Sequence, residues 1–397
     1  MITKDLATID IEDLKGLVAD QLREGKTLDY KRELPGSRDK DKKEFLADAS
    51  SFANTSGGDL LFGVVDKGGA PDELVGIPAE GEDREKQRLE NLLRTGLEPR
   101  LPRYEFRAVP IDPTRIVLIL RVWRSWNAPH RVTLGDHSKF YGRNSAGKYA
   151  LDVEELRSAF TLLHGIERRI HEFHTERLLA IEAGDTPAVL IPGGRLILHL
   201  LPVSSFTRPF AQGTARFIEN PQALPDPMNR RQVMQSDYRP MLEGAAKCTG
   251  ALDRAASYVL LFRTGAVESV CALHSRDDLG RTILAAEWFE GQVLDVLPSH
   301  IQLLRDCGAQ PPVIILLSVA GVGGIRLQFG GMRELVREER PAYPKDILRA
   351  PEVVVNDLAA GPAALMKPVF DAVWNAFGFP RSESYDASGA WIGRQQV

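Results

Sequence analysis

Apolar side chains recur at helical spacing in several segments of the chain. The first such segment lies near the N-terminus and contains Leu14, Leu17, Val18 and Leu22. This spacing places the four side chains on one face of a helix, which we expect over residues 10–24. From the same periodicity and from end signals we expect further helices over residues 41–53, 82–97, 152–174, 282–304 and 363–377. Asp41, with Glu44 three residues later, is typical of a capping box, and Asp152 is predicted to cap the helix that it begins.

Alternating and continuous apolar runs predict strands between these helices. Residues 27–34 alternate, so that Asp29 and Lys31 share one face of the predicted strand. Residues 60–65 form a continuous apolar run typical of a buried strand, and the turn after it begins at Asp66. Further strands are predicted over residues 103–109, 116–122, 138–141, 196–201, 258–262, 267–272 and 313–319, and the turn at 263–266 indicates a hairpin between the strands over 258–262 and 267–272.

This order of elements predicts an α+β protein with two domains. The breaker Gly-Asp-Thr-Pro at 184–187 favours an N-terminal domain of residues 1–176 and an α/β domain of residues 185–397. We expect residues 219–240, rich in Pro, Asn, Gln and Arg, to form a long exposed loop. The second domain carries no motif tied to chemistry, and sensing, dimerisation and substrate clamping all remain open for it.

Composition and charge narrow the classes of function. The 397 residues are 43% hydrophobic and carry a net charge of −4, so a nucleic-acid site would have to be a local basic patch. The chain has no charge-free apolar run of about 18 residues, which excludes a predicted membrane span. Three widely spaced cysteines, Cys248, Cys271 and Cys307, are typical of buried thiols in a reducing cytoplasm.

A basic and aromatic row is predicted at the end of the first domain. Alternation places Lys139, Tyr141 and Arg143 on one face of a short strand, and Lys148 follows closely. Such a row suits a phosphate backbone with one stacked base. The alternative is a solvated edge strand protected by its charges.

Two weaker signals favour ordinary structure. Residues 142–149 nearly match a phosphate-binding loop, but Tyr149 replaces the Ser or Thr that would bind magnesium. His164, His171 and His174 share a helical face, for which a polar surface is the simpler interpretation than a zinc site.

Three stretches together resemble the Schlafen AlbA domain. They are Glu-Gly-Lys-Thr-Leu-Asp-Tyr-Lys at 24–31, the run from 45 to 66 that includes Phe-Ala-Asn-Thr-Ser-Gly-Gly at 52–58, and Lys-Phe-Tyr-Gly-Arg at 139–143, followed by Asp-Val-Glu-Glu at 152–155. The resemblance covers only the N-terminal part of the chain. It implies a Schlafen AlbA-like fold, which is a mixed sheet with packed helices, and a nucleic-acid partner, with RNA favoured over DNA.

The resemblance also implies a set of site residues. Glu24, Asp29 and Asp66 fall on the positions of the family's nuclease carboxylates, although Asp29 stands where the family usually has glutamate. They would bind Mg²⁺ or Mn²⁺, which activates water and offsets phosphate charge. Lys31 would hold the water or stabilise the transition state. The implied activity is an endoribonuclease for structured RNA such as tRNA, with a role as an anti-phage effector.

Two alternatives to the nuclease remain open at this stage. Bacterial members of the family include DNA-binding regulators, so the domain could bind DNA or RNA without catalysis, or could act as a scaffold that only forms homo-oligomers. Three of the implied site residues also have an ordinary structural interpretation. Glu24 could be a solvated helix end, Asp66 a turn former and Lys31 a surface partner of Glu33.

Overall fold

The computed structural model describes residues 2, 4–207, 211–229, 235–273, 283–328 and 342–393, without the side chains of residues 162–164 and 212. The chain divides into two compact units, Met1–Gly165 and Ile166–Val397. Helices and strands occur in both units, which confirms the α+β class. No helix in the described ranges combines the length and the apolar character needed to cross a membrane.

The first unit is built on two sheets and a hairpin. Its described helices are α1 (Ile11–Ala19), α2 (Asp39–Ala53), α3 (Glu82–Gly96) and the first part of α4 (Val153–Glu182). Its described strands are β1 (Leu28–Lys31), β2 (Gly58–Phe62), β3 (Val64–Lys67), β4 (Ala70–Leu74), β5 (Ile77–Pro78), β6 (Leu97–Glu98), β7 (Tyr104–Asp112), β8 (Arg115–Val122), β9 (Arg131–Val132), β10 (Lys139–Asn144) and β11 (Gly147–Ala150).

The larger of these sheets is mixed, as predicted. Its order is β1-β2-β8-β5, with β7 also paired to β8, and the β1–β2 pair is parallel while the other pairs are antiparallel. The second sheet has the order β11-β10-β9-β6, and β3 pairs with β4 as a hairpin. The position between β2 and β3 requires glycine, because Gly63 has φ +94° and a Cβ there would lie 2.8 Å from the Cα of Gly76.

Both faces of the mixed sheet are covered by apolar side chains. On β8, Leu118 and Leu120 pack with the buried side chains of α2 and α3, whereas Val117 and Ile119 pack with Leu14 of α1. This is the period of two that a strand buried on both faces requires. Helix α2 therefore lies against one face of β1 and β2, and this face carries the candidate site.

The second unit contains a large antiparallel sheet. Its described helices are the rest of α4, α5 (Ala215–Glu219), α6 (Ala286–Asp306) and α7 (Pro362–Asn375). Its described strands are β12 (Gly194–Pro202), β13 (Ser236–Pro240), β14 (Gly244–Ala251), β15 (Arg254–Phe262), β16 (Val267–Leu273), β17 (Ile283–Ala285), β18 (Val313–Ala320), β19 (Arg326–Gln328), β20 (Ile347–Arg349) and β21 (Val353–Val355). The sheet order is β13-β14-β15-β16-β12-β18-β20, with β21 also paired to β18.

Some predicted elements need correction. Helix α1 ends at Ala19 instead of residue 24, and α4 continues to Glu182, beyond residue 174. The end of the predicted loop over 219–240 is strand β13, and β14 was not predicted. Helix α2 begins at Asp39 without a side-chain cap, so the capping box predicted at Asp41 is wrong. The cap predicted at Asp152 is confirmed, since its Oδ1 accepts the Glu155 N–H at 2.8 Å.

Candidate functional site

Strand β1 directs Asp29 and Lys31 towards helix α2. Asp29 is only 5% exposed, and Lys31 Nζ lies 2.9 Å from its Oδ1. The same ammonium lies 3.6 Å from Oδ2 of Asp48, an acid on α2 that is 1% exposed. The sequence signal for Asp48 is a lone carboxylate within an apolar helix face, and it was not among the predicted site residues. The face of β1 that carries Asp29 and Lys31 therefore packs against a second buried acid, Asp48.

Arg143 on β10 completes this contact from the other sheet. Its guanidinium donates to Asp29 Oδ2 and lies 3.6 Å from Asp48 Oδ1, and its Nε donates to the Gly25 carbonyl oxygen at 2.8 Å. The guanidinium also lies 4.4 Å from the centre of the Phe52 ring. Arg143 is 3% exposed. The expectation that Arg143 projects with Lys139 into solvent is therefore wrong, because α2 covers this part of the strand.

The rest of the predicted basic row is divided between surface and interior. Lys148 on β11 places its Nζ 2.8 Å from Asp48 Oδ1 and so joins the buried acids. Lys139 is exposed, and Tyr141 is partly buried, with its ring stacked on His137 and its hydroxyl 2.9 Å from His137 Nε2. Lys139 and the partly buried Tyr141 are thus the two members of the row that do not pair with the buried acids.

We call Asp29, Asp48, Lys31, Arg143 and Lys148 the acid–base cluster. Three cationic side chains face two carboxylates in it. Burial acts to raise the pKa of Asp29, but the charges of Lys31 and Arg143 outweigh burial and hold it below its ordinary value. Burial raises the pKa of Asp48 despite Lys148 and Lys31. Burial acts to lower the pKa of Lys31, but Asp48 and Asp29 carry it above its ordinary value.

Glu24 brings a third carboxylate to the edge of the cluster. It lies in the segment between α1 and β1, where its Oε1 accepts the Tyr30 N–H at 2.8 Å. Burial raises the pKa of Glu24 to about 7, and the neighbouring charges of Asp29 and Asp66 act in the same direction. The structure therefore brings Glu24 beside Asp29, with Asp66 near enough to affect its proton.

Asp66 reaches this position through the turn of the β3–β4 hairpin. The carbonyl oxygen of Gly69, in the same turn, accepts the Glu24 N–H at 2.6 Å. Asp66 itself is exposed, and its Oδ2 accepts the Gly69 N–H at 3.1 Å. It therefore shapes the turn, as its structural interpretation proposes, and it also presents a carboxylate on the side of Glu24.

These carboxylates fit a hard divalent cation that takes only a few of its ligands from the protein. Glu24 and Asp29 are neighbouring acids, and the pKa of Glu24 is about 7. A divalent cation would offset the repulsion between their carboxylates. In the described part of the chain, no three His, Cys, Asp or Glu side chains form a ready metal cage. Mg²⁺ commonly binds one or two carboxylates and completes its shell with water and substrate phosphate. Glu24 and Asp29 suit this mode of binding.

The segment Phe-Ala-Asn-Thr-Ser-Gly-Gly at 52–58 holds the two sheets at the site. Asn54 Nδ2 donates to the carbonyl oxygens of His130 and Tyr141, at 3.1 and 2.9 Å, and its Oδ1 accepts the His130 N–H at 2.7 Å. At Gly58 a Cβ would lie 2.2 Å from the Phe52 ring. The segment thus ties the end of α2 to β10, the strand that carries Arg143.

The two weaker signals acquire structural explanations. Residues 142–149 belong to the β10–β11 hairpin and therefore do not lead into a helix as a phosphate-binding loop does. His174 is buried with its Nε2 3.1 Å from Ser318 Oγ, and His171 lies 3.7 Å from Glu352. The His164 side chain lies outside the described residues.

Comparison with known proteins identifies a family model that matches the N-terminal part of the chain and solved structures with a distant likeness to it. The family model described as Schlafen, AlbA_2 matches residues 24–152. The chain is also similar to the crystal structure of the DIP2311 protein from Corynebacterium diphtheriae, at 18% identity and a TM-score of 0.25. This alignment covers 36% of the present chain and 26% of that one. No curated protein matches the chain.

Proposed function

We propose, because residues 24–152 form a Schlafen AlbA_2 domain, that this protein is a divalent-metal-dependent endoribonuclease acting on structured RNA such as tRNA. The domain indicates a nucleic-acid-related function. The observation that supports catalysis is the position of Glu24 next to Asp29, where burial raises the pKa of Glu24 to about 7 and where Asp29 pairs with Lys31 and Arg143. A role as an anti-phage effector belongs to the same proposal.

Each residue of the site has a distinct part in this proposal. Glu24 and Asp29 would hold Mg²⁺ or Mn²⁺, and Asp66 would approach it from the hairpin turn; the cation would supply an activated water and offset phosphate charge. Lys31, about a third exposed, is placed to donate to a phosphate oxygen as charge develops. Arg143 is a positioning residue, because its guanidinium fixes the Asp29 carboxylate and is itself inaccessible.

The test compares cleavage with and without the acid pair. Purified protein is incubated with tRNA, or with DNA of equal length, in Mg²⁺, Mn²⁺ or EDTA. We expect tRNA cleavage that requires metal and that falls at least about a hundredfold in Glu24→Gln and in Asp29→Asn. Glu33→Ala serves as the control, since its side chain is 83% exposed. Metal-independent cleavage, or full activity in both variants, would reject the proposed site.

A second candidate function is nucleic-acid binding without catalysis. The observation that favours it is the pairing of Asp29, whose two oxygens already contact Lys31 and Arg143. A carboxylate balanced in this way stabilises the fold without any metal. On this alternative the protein binds RNA or DNA, cleaves neither in any metal, and binds equally well after Glu24→Gln.

A further inference from the structure

The second unit contains a cavity of about 390 Å³, within the range of small-molecule sites. Its walls include three phenylalanine rings. Phe173 of α4 lies 5.7 Å from Phe206 and 5.3 Å from Phe262 between ring centres, with each pair nearly perpendicular. Phe173 and Phe206 remain partly exposed, so the cavity offers aromatic surface to a ligand. Such surface favours a planar aromatic group, which gains stacking or edge contacts.

A buried hydroxyl lies among these rings. Ser205 lines the cavity and is 6% exposed, and its Oγ has no hydrogen-bond partner among the described residues. Buried polar atoms are nearly always hydrogen-bonded, so an unpaired one is a ready contact for a ligand. A ring nitrogen or an exocyclic group of a nucleobase supplies the missing partner.

The cavity also carries a fixed cationic side chain. Arg263 donates from Nε to the Leu242 carbonyl oxygen at 2.7 Å and from Nη2 to the Met241 carbonyl oxygen at 3.3 Å. No carboxylate of the described residues forms a salt bridge with this guanidinium. A guanidinium that is held in this way and has no carboxylate partner is well suited to bind phosphate. The exposed carboxylate of Glu243, also at the cavity, can accept sugar hydroxyls.

From these features we infer that the second unit binds a nucleoside monophosphate in this cavity, with the base among the phenylalanines and the phosphate at Arg263. An aromatic wall, an unpaired hydroxyl and a held cation together match the three parts of that ligand. The site is formed by residues of the second unit alone and is independent of the proposed cleavage reaction. The same chemistry occurs in a free nucleotide and in a nucleotide of an RNA strand.

Isothermal titration calorimetry of the full chain tests this site. The buffer contains EDTA, so that metal-dependent cleavage of RNA does not occur during the titration. The ligands are the four ribonucleoside 5′-monophosphates, their nucleosides, inorganic phosphate and a single-stranded RNA hexamer. We expect at least one monophosphate to bind about ten- to a hundredfold more tightly than its nucleoside, the usual effect of a hydrogen-bonded charge. Tighter binding of the hexamer than of any monophosphate would assign the nucleotide to an RNA strand.

Two variants test whether the ligand binds in this cavity. Arg263→Gln should weaken monophosphate binding about ten- to a hundredfold, and Ser205→Ala about three- to tenfold. The matched controls are Arg254→Gln, an exposed arginine at the start of β15, the strand that ends just before Arg263, and Ser204→Ala, the serine next to Ser205. Neither control should change the affinity. The inference is overturned if no monophosphate and no hexamer binds, or if binding survives both cavity variants unchanged.

Discussion

Asp66 is exposed, unlike the other acids of the site, so its replacement can test catalysis separately from binding. Asp66→Asn keeps the side-chain volume and an oxygen for the Gly69 N–H, but removes a charge. We expect RNA cleavage to fall at least about a hundredfold, as when one strong electrostatic contributor is lost. RNA affinity measured in EDTA should hold or rise, because one negative charge near the phosphates is gone.

The control for this change is Asp72→Asn, on the neighbouring strand of the same hairpin. Asp72 pairs with Lys67 at 2.7 Å and is exposed, so it tests the effect of losing one hairpin carboxylate. Cleavage should remain in this variant. Metal-dependent cleavage that persists in Asp66→Asn would remove Asp66 from the set of ligands, and a shift in melting temperature alone would assign it to the turn.

Glu24 makes a prediction about pH in the absence of metal. Its pKa is about 7 in the folded protein against an ordinary value of 4.5, so the folded chain keeps a proton that the unfolded chain releases between these values. The contribution of Glu24 to stability is therefore present below pH 4.5 and is lost as pH rises towards 7. Denaturant titrations in EDTA should show wild type losing stability relative to Glu24→Gln across this range. A constant difference between the two proteins would contradict the raised pKa.

At the residue scale, sequence spacing identified some site residues and misjudged the environment of others. The positions of Glu24, Asp29 and Asp66 were predicted from a family pattern, and the structure brings Glu24 towards both aspartates. Alternation placed Lys139 and Arg143 on one face of β10, but a strand pattern does not reveal where along that face another element lies. Phe52 and Asp48 of helix α2 contact Arg143, whereas Lys139 is exposed, and Asp48 is itself buried.

The scale of elements explains what Arg143 does for the fold. It joins β10 to the β1 carboxylate Asp29 and packs on Phe52 of α2, so its removal leaves buried charge unpaired. Arg143→Ala should destabilise the first unit by about 3–5 kcal/mol, the usual cost of breaking a buried ion pair. Chemical denaturation measures this loss. Lys139→Ala, at the exposed end of the same strand, should cost less than about 0.5 kcal/mol. Equal stability of the two variants would show that the buried contact contributes little.

Elements with strong periodicity were predictable and those with small residues were not. The hairpin of β15 and β16 follows two apolar runs joined by a short turn, and it was predicted from sequence. Strand β14 reads Gly-Ala-Ala-Lys-Cys-Thr-Gly-Ala, which offers little of the β-branched and aromatic character that marks strands. Its antiparallel pairing with the neighbouring strands β13 and β15 makes it a strand, and its small residues give no signal of that pairing.

At the scale of the whole molecule, a net charge of −4 means that the proposed nucleic-acid partner would be held by a small surface and not by the overall field. Arg143 and Lys148 are engaged with buried acids, which leaves the exposed Lys139 and the partly buried Tyr141 from the predicted row. A cation and an aromatic ring contribute to binding in different ways. A lysine at a phosphate releases counterions, whereas an aromatic ring stacks on a base with little dependence on salt.

This difference gives a prediction for binding of RNA across salt concentrations. Lys139→Ala should lower the slope of log affinity against log salt by about 0.7–0.9, the release expected from one phosphate contact. Tyr141→Ala should weaken binding at every salt concentration by an amount equivalent to about 1–3 kcal/mol and leave the slope unchanged. Fluorescence anisotropy in EDTA measures both effects without cleavage. Arg131→Ala is the control, because Arg131 already pairs with Glu98 at 2.6 Å. If both row variants bind as wild type does, the nucleic acid occupies another surface, and the cleavage site must then be reached from a different side of the domain.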